Sequence, residues 1–187
     1  PSSRVPAVWT IPANGGAATL ITHANALGGP HFSDDPDRVY LYSQAGLVSM
    51  RLDGSDRRRL TDFDAMSWAP YFHPSNEYAI FATNKHGFSN FELYIVDALG
   101  TREPVRVTNL EGFDGLPVFS PDGARVYVGN RGANTVTVVR TADWTVEAVI
   151  EDASFAEPHG IAITSDGKKL FVSNRNQKDP SAAEEPG

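Results

Sequence analysis

His159 is the residue of this chain with the clearest capacity for chemistry. It follows Glu157 by two positions in the segment EPHG, and Asp114 occupies a comparable place in the earlier segment GFDG. An imidazole beside a carboxylate can ligate a metal ion or act as a general base. A loop histidine that bonds only to the backbone is the structural alternative, so these residues alone do not predict an active site.

Aromatic, cationic and acidic residues in the predicted loops form a wider set of candidate binding residues. Aromatic and arginine side chains are the usual anchors of protein interfaces, and loops on a rigid scaffold often bind ligands. The candidates are Trp68, His86, Phe88, Asp114, Arg131, Glu157, His159 and Arg175. Two of them have structural alternatives, since Trp68 could pack between repeats and Phe88 could belong to a long connecting loop.

No catalytic or cofactor motif accompanies these residues. The sequence contains no cysteine, which excludes disulfides, thiol catalysis and cysteine-type zinc sites. It also lacks a phosphate-binding glycine loop, the H-E-x-x-H zinc motif and the G-x-S-x-G elbow of hydrolases. We therefore expect no catalytic residue, no cofactor and no metal, and we favour a binding protein over an enzyme.

The charge balance restricts the possible partners. The 187 residues include 23 acidic and 16 basic side chains, a formal net charge of −7. Such a surface disfavours nucleic acid and anionic membranes, and no apolar run approaches the length of a membrane span. We expect a protein or peptide partner, no nucleic acid and no membrane insertion. The chain begins at Pro1 instead of Met, which indicates a mature form, a fragment or an engineered chain.

Four related segments show which elements must position the candidate residues. They read HFSDDPDRVYLYS, YFHPSNEYAIFAT, VFSPDGARVYVGN and AITSDGKKLFVSN, each with an apolar residue, a turn and a strand-like run. The apolar residues are Phe32, Phe72, Phe119 and Ile163, so successive copies are 40, 47 and 44 residues apart. Repeats of that length, with four short strands each, predict the blades of a β-propeller.

The blade pattern predicts an all-β, four-bladed propeller with four antiparallel strands per blade. Three complete blades span about residues 28–61, 68–108 and 115–150, whereas 5–22 reads as strands three and four and 158–174 as strands one and two. Joining these two halves would close the ring and remove its open sheet edges. We expect one domain over 1–178 with a flexible tail at 179–187, and a monomer in preference to a homodimer. A fragment of a larger propeller and a half-ring that dimerises to eight blades are the alternatives.

Two propeller families resemble different parts of the chain. RVYLYS, GLVSMRLDGSDRRRLTDF, APYFHPSNEYAIFATN and LPVFSPDG, over about residues 28–123, resemble TolB-like repeats. SPDGARVYVGNRGANTVTVVRTADWTVEAVIED and EPHGIAITSDGKKLFVSNRN, over about 119–174, resemble the YVTN repeats of surface-layer and lactonase-like proteins. The TolB-like resemblance implies a docking scaffold in periplasmic assemblies or the accessory propeller of a prolyl-oligopeptidase-type peptidase. The chain lacks the catalytic half of such a peptidase.

Propeller geometry predicts which surface binds. The connections from strand four to strand one and from strand two to strand three share one surface, here named the loop-rich face. This face comprises residues 23–29, 62–68, 84–90, 110–115, 130–134, 151–159 and 174–178. The other two kinds of connection form the opposite surface, the turn face, which contains the Pro/Asp/Gly turns.

Three hypotheses about function follow. We favour a non-enzymatic scaffold that binds a protein or peptide on the loop-rich face, in the periplasm or secreted, with the cytoplasm left open. The first alternative is a lactonase-like or metal-assisted hydrolase that uses a cavity on the central axis of the propeller, near His159. The second is an engineered or fragmentary propeller without an evolved function.

Overall fold

The computed structural model describes residues 7–23, 30–32, 35–43, 46–109 and 112–176. These residues form sixteen β-strands and no helix, and therefore contain no helix able to cross a membrane. The first eight strands are β1 (Ala7–Thr10), β2 (Thr19–His23), β3 (His31–Phe32), β4 (Arg38–Ser43), β5 (Gly46–Arg51), β6 (Arg58–Arg59), β7 (Ser67–Phe72) and β8 (Tyr78–Thr83). The other eight are β9 (Glu92–Asp97), β10 (Val105–Arg106), β11 (Asp114–Phe119), β12 (Arg125–Asn130), β13 (Thr135–Arg140), β14 (Thr145–Glu151), β15 (Pro158–Ile163) and β16 (Leu170–Asn174).

Every strand pairs antiparallel with at least one of its neighbours in the chain, which produces blade-like sheets. Strands β3 to β6, β7 to β10 and β11 to β14 form three four-stranded sheets in chain order. The first strands of four sheets, β3, β7, β11 and β15, end at the residues that define the sequence repeat: Phe32, Phe72, Phe119 and Ile163. The repeat therefore corresponds to the first hairpin of each sheet.

The SPDG turn shows why the sequence reverses direction at these points. The Gly123 amide donates to the Ser120 carbonyl (2.8 Å), and Asp122 accepts from the Ala124 amide (3.0 Å). Gly123 has a φ of 71°, in the left-handed region that glycine adopts without strain. The corresponding turn in the last hairpin has Gly167 at the same φ of 71°.

The core lies between successive blades, because the middle strands of each sheet are buried on both faces. Ile80 and Leu93 of one blade pack with Val126 and Val128 of the next, and each of them is completely buried. A second cluster packs Leu47 against Phe81 at the preceding blade interface. The second and third strands are almost continuously apolar, so they present apolar side chains on both faces of each sheet.

The two terminal ribbons form separate sheets, so the predicted ring closure is not confirmed. Strands β1 and β2 form one two-stranded sheet and β15 and β16 another, with no ladder between them in the described part of the chain. Val8 packs on Val39 and Met50 of the first complete blade, whereas β15 packs on β11 and β12 of the third. Each ribbon thus buries a face against its neighbouring blade without the other ribbon. The angle between blades decides closure, and the repeat pattern does not encode it.

Some expectations fall on residues outside those described. The tail at 179–187, the loop segment 24–29 and the outer limits of the terminal halves at residues 5–6 and 175–178 belong wholly or partly to this group.

Candidate functional site

A cavity of about 510 Å³ opens on the loop-rich face between the second and third complete blades and the β15–β16 ribbon. We name it the loop-face cavity. Its lining residues are Trp68, Ser89, Phe91, Phe113, Arg131, Gly132, Glu157, His159 and Arg175. Five of the eight residues predicted from the sequence therefore meet here: Trp68, Arg131, Glu157, His159 and Arg175.

The first strands position the cavity because each begins at its edge. Strands β7, β11 and β15 begin at Ser67, Asp114 and Pro158, so Trp68 and His159 are each the second residue of a strand. The Phe91 amide donates to the Gly112 carbonyl (2.9 Å) and the Asp114 amide donates to the Phe91 carbonyl (3.0 Å). These bonds tie two blades together directly beneath the loops.

Three aromatic rings form one wall of the cavity. Trp68 stacks on Phe91 with ring centroids 4.5 Å apart, and Phe91 lies 5.1 Å from Phe113. Gly115 permits this arrangement, since a Cβ at that position would collide with the Phe113 ring. Trp68 both packs against the inter-blade core and lines the cavity, so its structural and binding interpretations are compatible.

Charged side chains line the cavity next to this aromatic wall. The Arg131 guanidinium lies 5.0 Å from the centre of the Phe113 ring, a cation–π distance, and its Nη2 donates to Glu157 Oε2 at 3.2 Å. Asn176 Nδ2 donates to the other oxygen of Glu157 at 2.5 Å. Arg175 is exposed, and among the described residues its side chain has no ion pair or hydrogen bond.

His159 is not paired with a carboxylate. No hydrogen bond joins it to Glu157, and its Nδ1 atom is buried without a partner in the described structure. Burial, followed by the positive charges of Arg131 and Arg175, lowers the pKa of His159 below its usual 6.5. The lowered pKa favours the neutral imidazole, and no carboxylate among the described residues bonds to it and orients it as a general base.

Asp114 is buried and does not line the cavity. One of its oxygens, Oδ2, has no partner in the described structure, and Glu92 is the nearby carboxylate. Burial and then the charge of Glu92 raise the pKa of Asp114 to about 6. Glu92 is completely buried and accepts from Arg106 Nη2 (2.8 Å) and the Thr108 hydroxyl (2.6 Å).

The two remaining predicted residues lie on the neighbouring 84–90 loop. His86 Nε2 forms a hydrogen bond with the Tyr94 hydroxyl at 2.6 Å, which fixes its ring beside the blade. Phe88 is 83% exposed and contacts none of the aromatic cluster. Neither side chain lines the cavity, although Ser89 of the same loop does.

Sequence analysis did not single out Phe91, Ser89, Gly132 or Glu92. Phe91 directly precedes the third strand of its blade, a position that alternation assigns to the core. Glu92 is a charged residue at the start of an otherwise apolar strand, ELYIV, and this was the available signal for a buried ionic group. No group of three or more His, Cys, Asp or Glu side chains suited to a metal ion occurs in the described part of the chain.

Comparison with known proteins identifies the fold. A family model described as "Lactonase, 7-bladed beta-propeller" matches residues 118–182, and a search of curated proteins finds no significant match. TolB from Acinetobacter baumannii is similar over 89% of this chain, with 21% identity and a TM-score of 0.69. A nidogen/laminin complex is similar over 90% (16% identity, TM-score 0.67), and an oligogalacturonate lyase in complex with manganese over 88% (15% identity, TM-score 0.68).

These likenesses show that the chain has a β-propeller fold. At identities below 25% they carry the fold alone. The chain spans 64%, 42% and 49% of the length of the nidogen/laminin, TolB and lyase structures, respectively.

Proposed function

We propose that this protein is a non-enzymatic β-propeller scaffold that binds a protein or peptide through its loop-rich face. The observation that supports this proposal is the loop-face cavity, where an aromatic wall and two arginines, Arg131 and Arg175, meet on a rigid frame. Its volume of about 510 Å³ lies within the range of ordinary ligand cavities. Aromatic and arginine side chains are the residues that most often dominate interface energetics.

Phe88 supplies a second contact in this proposal. Its ring is 83% exposed on a short loop that two backbone bonds hold, from the Gly87 amide to Asn84 (3.0 Å) and from the Asn90 amide to Gly87 (3.0 Å). A large apolar ring on an ordered loop loses little conformational freedom on binding, which favours its use as an anchor. A partner seated in the cavity would pass over the same loop.

The similarities support a protein partner without identifying it. One matched structure is of a nidogen/laminin complex, so a propeller of related shape occurs in a protein assembly. We propose a periplasmic or secreted location and a monomer, with TolB-like repeats over about 28–123 and YVTN-like repeats over about 119–174. No cofactor, metal, nucleic acid or membrane insertion enters this proposal.

Selection of peptides from a random display library on the purified protein tests the function. We expect enriched peptides whose binding falls at least tenfold in Arg175→Ala and in Phe88→Ser, since both side chains are exposed. Arg102→Ala, an exposed arginine in the β9–β10 turn on the turn face, is the matched control and should bind normally. Enriched peptides that bind both loop-face variants as well as the wild type would overturn the proposal.

A lactonase-like hydrolase is the second candidate, because the lactonase family model matches residues 118–182. In this alternative a neutral His159 would act in the cavity near Arg131 and Arg175. Hydrolysis of a lactone panel, measured with and without added divalent metal, distinguishes the two. Turnover that disappears in His159→Gln would favour the enzyme, and no turnover under either condition would remove it.

The blade number is a separate proposal. We retain a four-bladed ring because β15–β16 and β1–β2 supply complementary halves of one blade, although the matched family is described as seven-bladed. Hydrogen exchange together with molar mass tests this arrangement. Slow amide exchange in β1 and β16 with a single-chain mass would support the ring, a doubled mass would support eight blades, and fast exchange at both edges would overturn closure.

A further inference from the structure

We propose that the loop-face cavity binds the C-terminal residue of a peptide, with Arg131 and Arg175 contacting its free carboxylate and the aromatic wall contacting its apolar side chain. This inference rests on the proposed peptide-binding function and specifies the end of the partner that enters.

The cavity has an excess of positive charge. Arg131 and Arg175 are both cationic, and Glu157 is the acidic residue among the lining side chains. Glu157 is already engaged by Arg131 and Asn176, whereas Arg175 has no ion pair in the described part of the chain. This local excess contrasts with the net charge of −7 of the whole chain and favours an anionic group at this point.

Two residues that line the cavity also have nitrogen atoms without a hydrogen-bond partner in the described structure. Arg131 Nε and His159 Nδ1 are buried and have no hydrogen-bond partner within the described residues. Arg131 Nε is a donor, and an unpartnered buried donor costs free energy that an acceptor on a ligand would offset; the role of His159 Nδ1 depends on the imidazole tautomer. A carboxylate has two acceptor oxygens and matches the planar fork of a guanidinium, so it can satisfy Arg131 Nε while also pairing with Arg175.

The aromatic wall adjoins the cations directly. Phe113 lies 5.0 Å from the Arg131 guanidinium and 6.2 Å from the His159 ring, and Trp68 and Phe91 continue the wall. A ligand that contacts both the wall and the cations presents an apolar group and a carboxylate close together. A C-terminal apolar residue does so, whereas an internal Asp or Glu places its carboxylate on a side chain separate from the apolar one.

Peptide pairs that differ only at the C-terminus test the inference. The probes are N-acetylated pentapeptides ending in Phe, Leu or Trp, each as the free acid and as the C-terminal amide, with affinity measured by calorimetry. We expect at least one free acid to bind at least tenfold more tightly than its amide. Arg175→Gln should abolish most of that difference, and Arg102→Gln on the turn face should retain it.

Two further probes separate other sources of the same chemistry. 3-Phenylpropionate carries the carboxylate and ring without a peptide, and an amidated peptide with an internal Glu beside Phe carries them on separate residues. Weak or undetectable binding of both supports a C-terminal peptide. Equal binding of acid and amide, tighter binding of either further probe, or no binding by any free acid would overturn the inference. The library selection would still succeed in these cases if the broader peptide-binding function is correct.

Discussion

The turn-face aspartates and the buried Asp114 near the loop-rich face have opposite environments. On the turn face, four aspartates each accept a hydroxyl hydrogen bond of 2.5–2.7 Å from a Ser or Thr two residues away, and these bonds lower their pKa values. They are Asp53, Asp122, Asp143 and Asp166. Asp152, on the loop-rich face, resembles the turn-face group, because the Ser154 hydroxyl donates to it (2.6 Å) and lowers its pKa. At the loop-rich face, Asp114 is buried beside Glu92 with one oxygen unpartnered, and its pKa is raised to about 6.

This difference separates polar groups that stabilise the fold from polar groups that could still bond to a ligand. The turn aspartates use their hydrogen-bonding capacity to hold the chain reversals, which is a local and repeated task. Near the loop-face cavity, Asp114, Arg131 and His159 each retain a buried atom without a partner in the described structure. Buried polar atoms without a partner are uncommon in native proteins, and a ligand at this face would satisfy them, so the contrast supports the choice of face.

The largest expected effect comes from breaking the ion pair between the buried Glu92 and the partly exposed Arg106. Arg106→Met leaves the completely buried Glu92 without its cation and should lower the free energy of unfolding by about 3 kcal/mol. Arg125→Met on the turn face is the matched control, because its pair with Glu147 is solvent-accessible and should matter much less. Urea denaturation of both variants measures the difference. Equal losses would show that burial does not distinguish the two faces.

The next largest expected effect is a pH-dependent change in the free energy of unfolding of Asp114→Asn relative to wild type. The folded-state pKa of about 6 exceeds the usual 3.8, so the stabilisation by the protonated acid is complete below about pH 4 and is lost as pH rises through 6. The asparagine side chain of the variant does not titrate, so the variant does not lose stability for this reason. Its stability relative to wild type should therefore increase by about 1.4 kcal/mol between pH 5 and pH 7.5.

Asp122→Asn should show the opposite dependence of the free energy of unfolding on pH. The Ser120 hydroxyl bond lowers the pKa of Asp122, so its contribution is present at neutral pH and is lost on acidification. This variant should be destabilised at pH 7.5 and should approach wild type only below about pH 4. Urea midpoints across this pH range compare the two variants, and parallel pH profiles would contradict the contrast between the faces.

The smallest expected effect separates two turns with the same backbone conformation. Gly123 and Gly167 both have a φ of 71°, so alanine at either position incurs the same backbone strain. A Cβ at Gly123 would also collide with the His73 ring, whose Nε2 lies 3.1 Å from the Gly123 carbonyl oxygen. At Gly167 the nearest atom, Pro121 Cδ, is 3.9 Å away.

Gly123→Ala should therefore cost about 1 kcal/mol more than Gly167→Ala, the typical net value of the displaced hydrogen bond. Thermal denaturation of the two variants under identical conditions gives the difference directly. A larger loss in Gly167→Ala would mean that the turn face does not depend on the His73 contact between blades.

Much of the strand pattern was predictable because its signals are local. The SPDG turn and the apolar runs after it specify a hairpin from a few adjacent residues, and β11 and β12 occupy that position. The loop-rich face was predictable in outline, since propeller topology alone assigns connections to a face. The convergence of Trp68, Arg131, Glu157, His159 and Arg175 on one cavity agrees with that outline.

The details of the site were less accessible. His159 and Glu157 are separated by one residue, yet Glu157 bonds to Arg131 and Asn176 and not to His159, and its backbone adopts a positive φ of 55°. Phe91, 23 positions from Trp68, reaches the cavity by stacking on Trp68 across its own blade, and it contacts Phe113 of the next blade. Such contacts join residues far apart in the chain, and a single sequence gives no signal for them.

The sequence by itself determined the all-β propeller architecture, since turn chemistry and the alternation of apolar residues are properties of neighbouring positions. Tertiary structure decided which polar groups are satisfied and which are not. Asp122 and Asp114 are the same residue type, one in the turn after β11 and the other at the start of that strand. Asp122 accepts from a serine hydroxyl, whereas Asp114 lies beside a buried carboxylate. That difference depends on how blades stack, because desolvation and Coulomb interactions are set by whatever lies nearby in space.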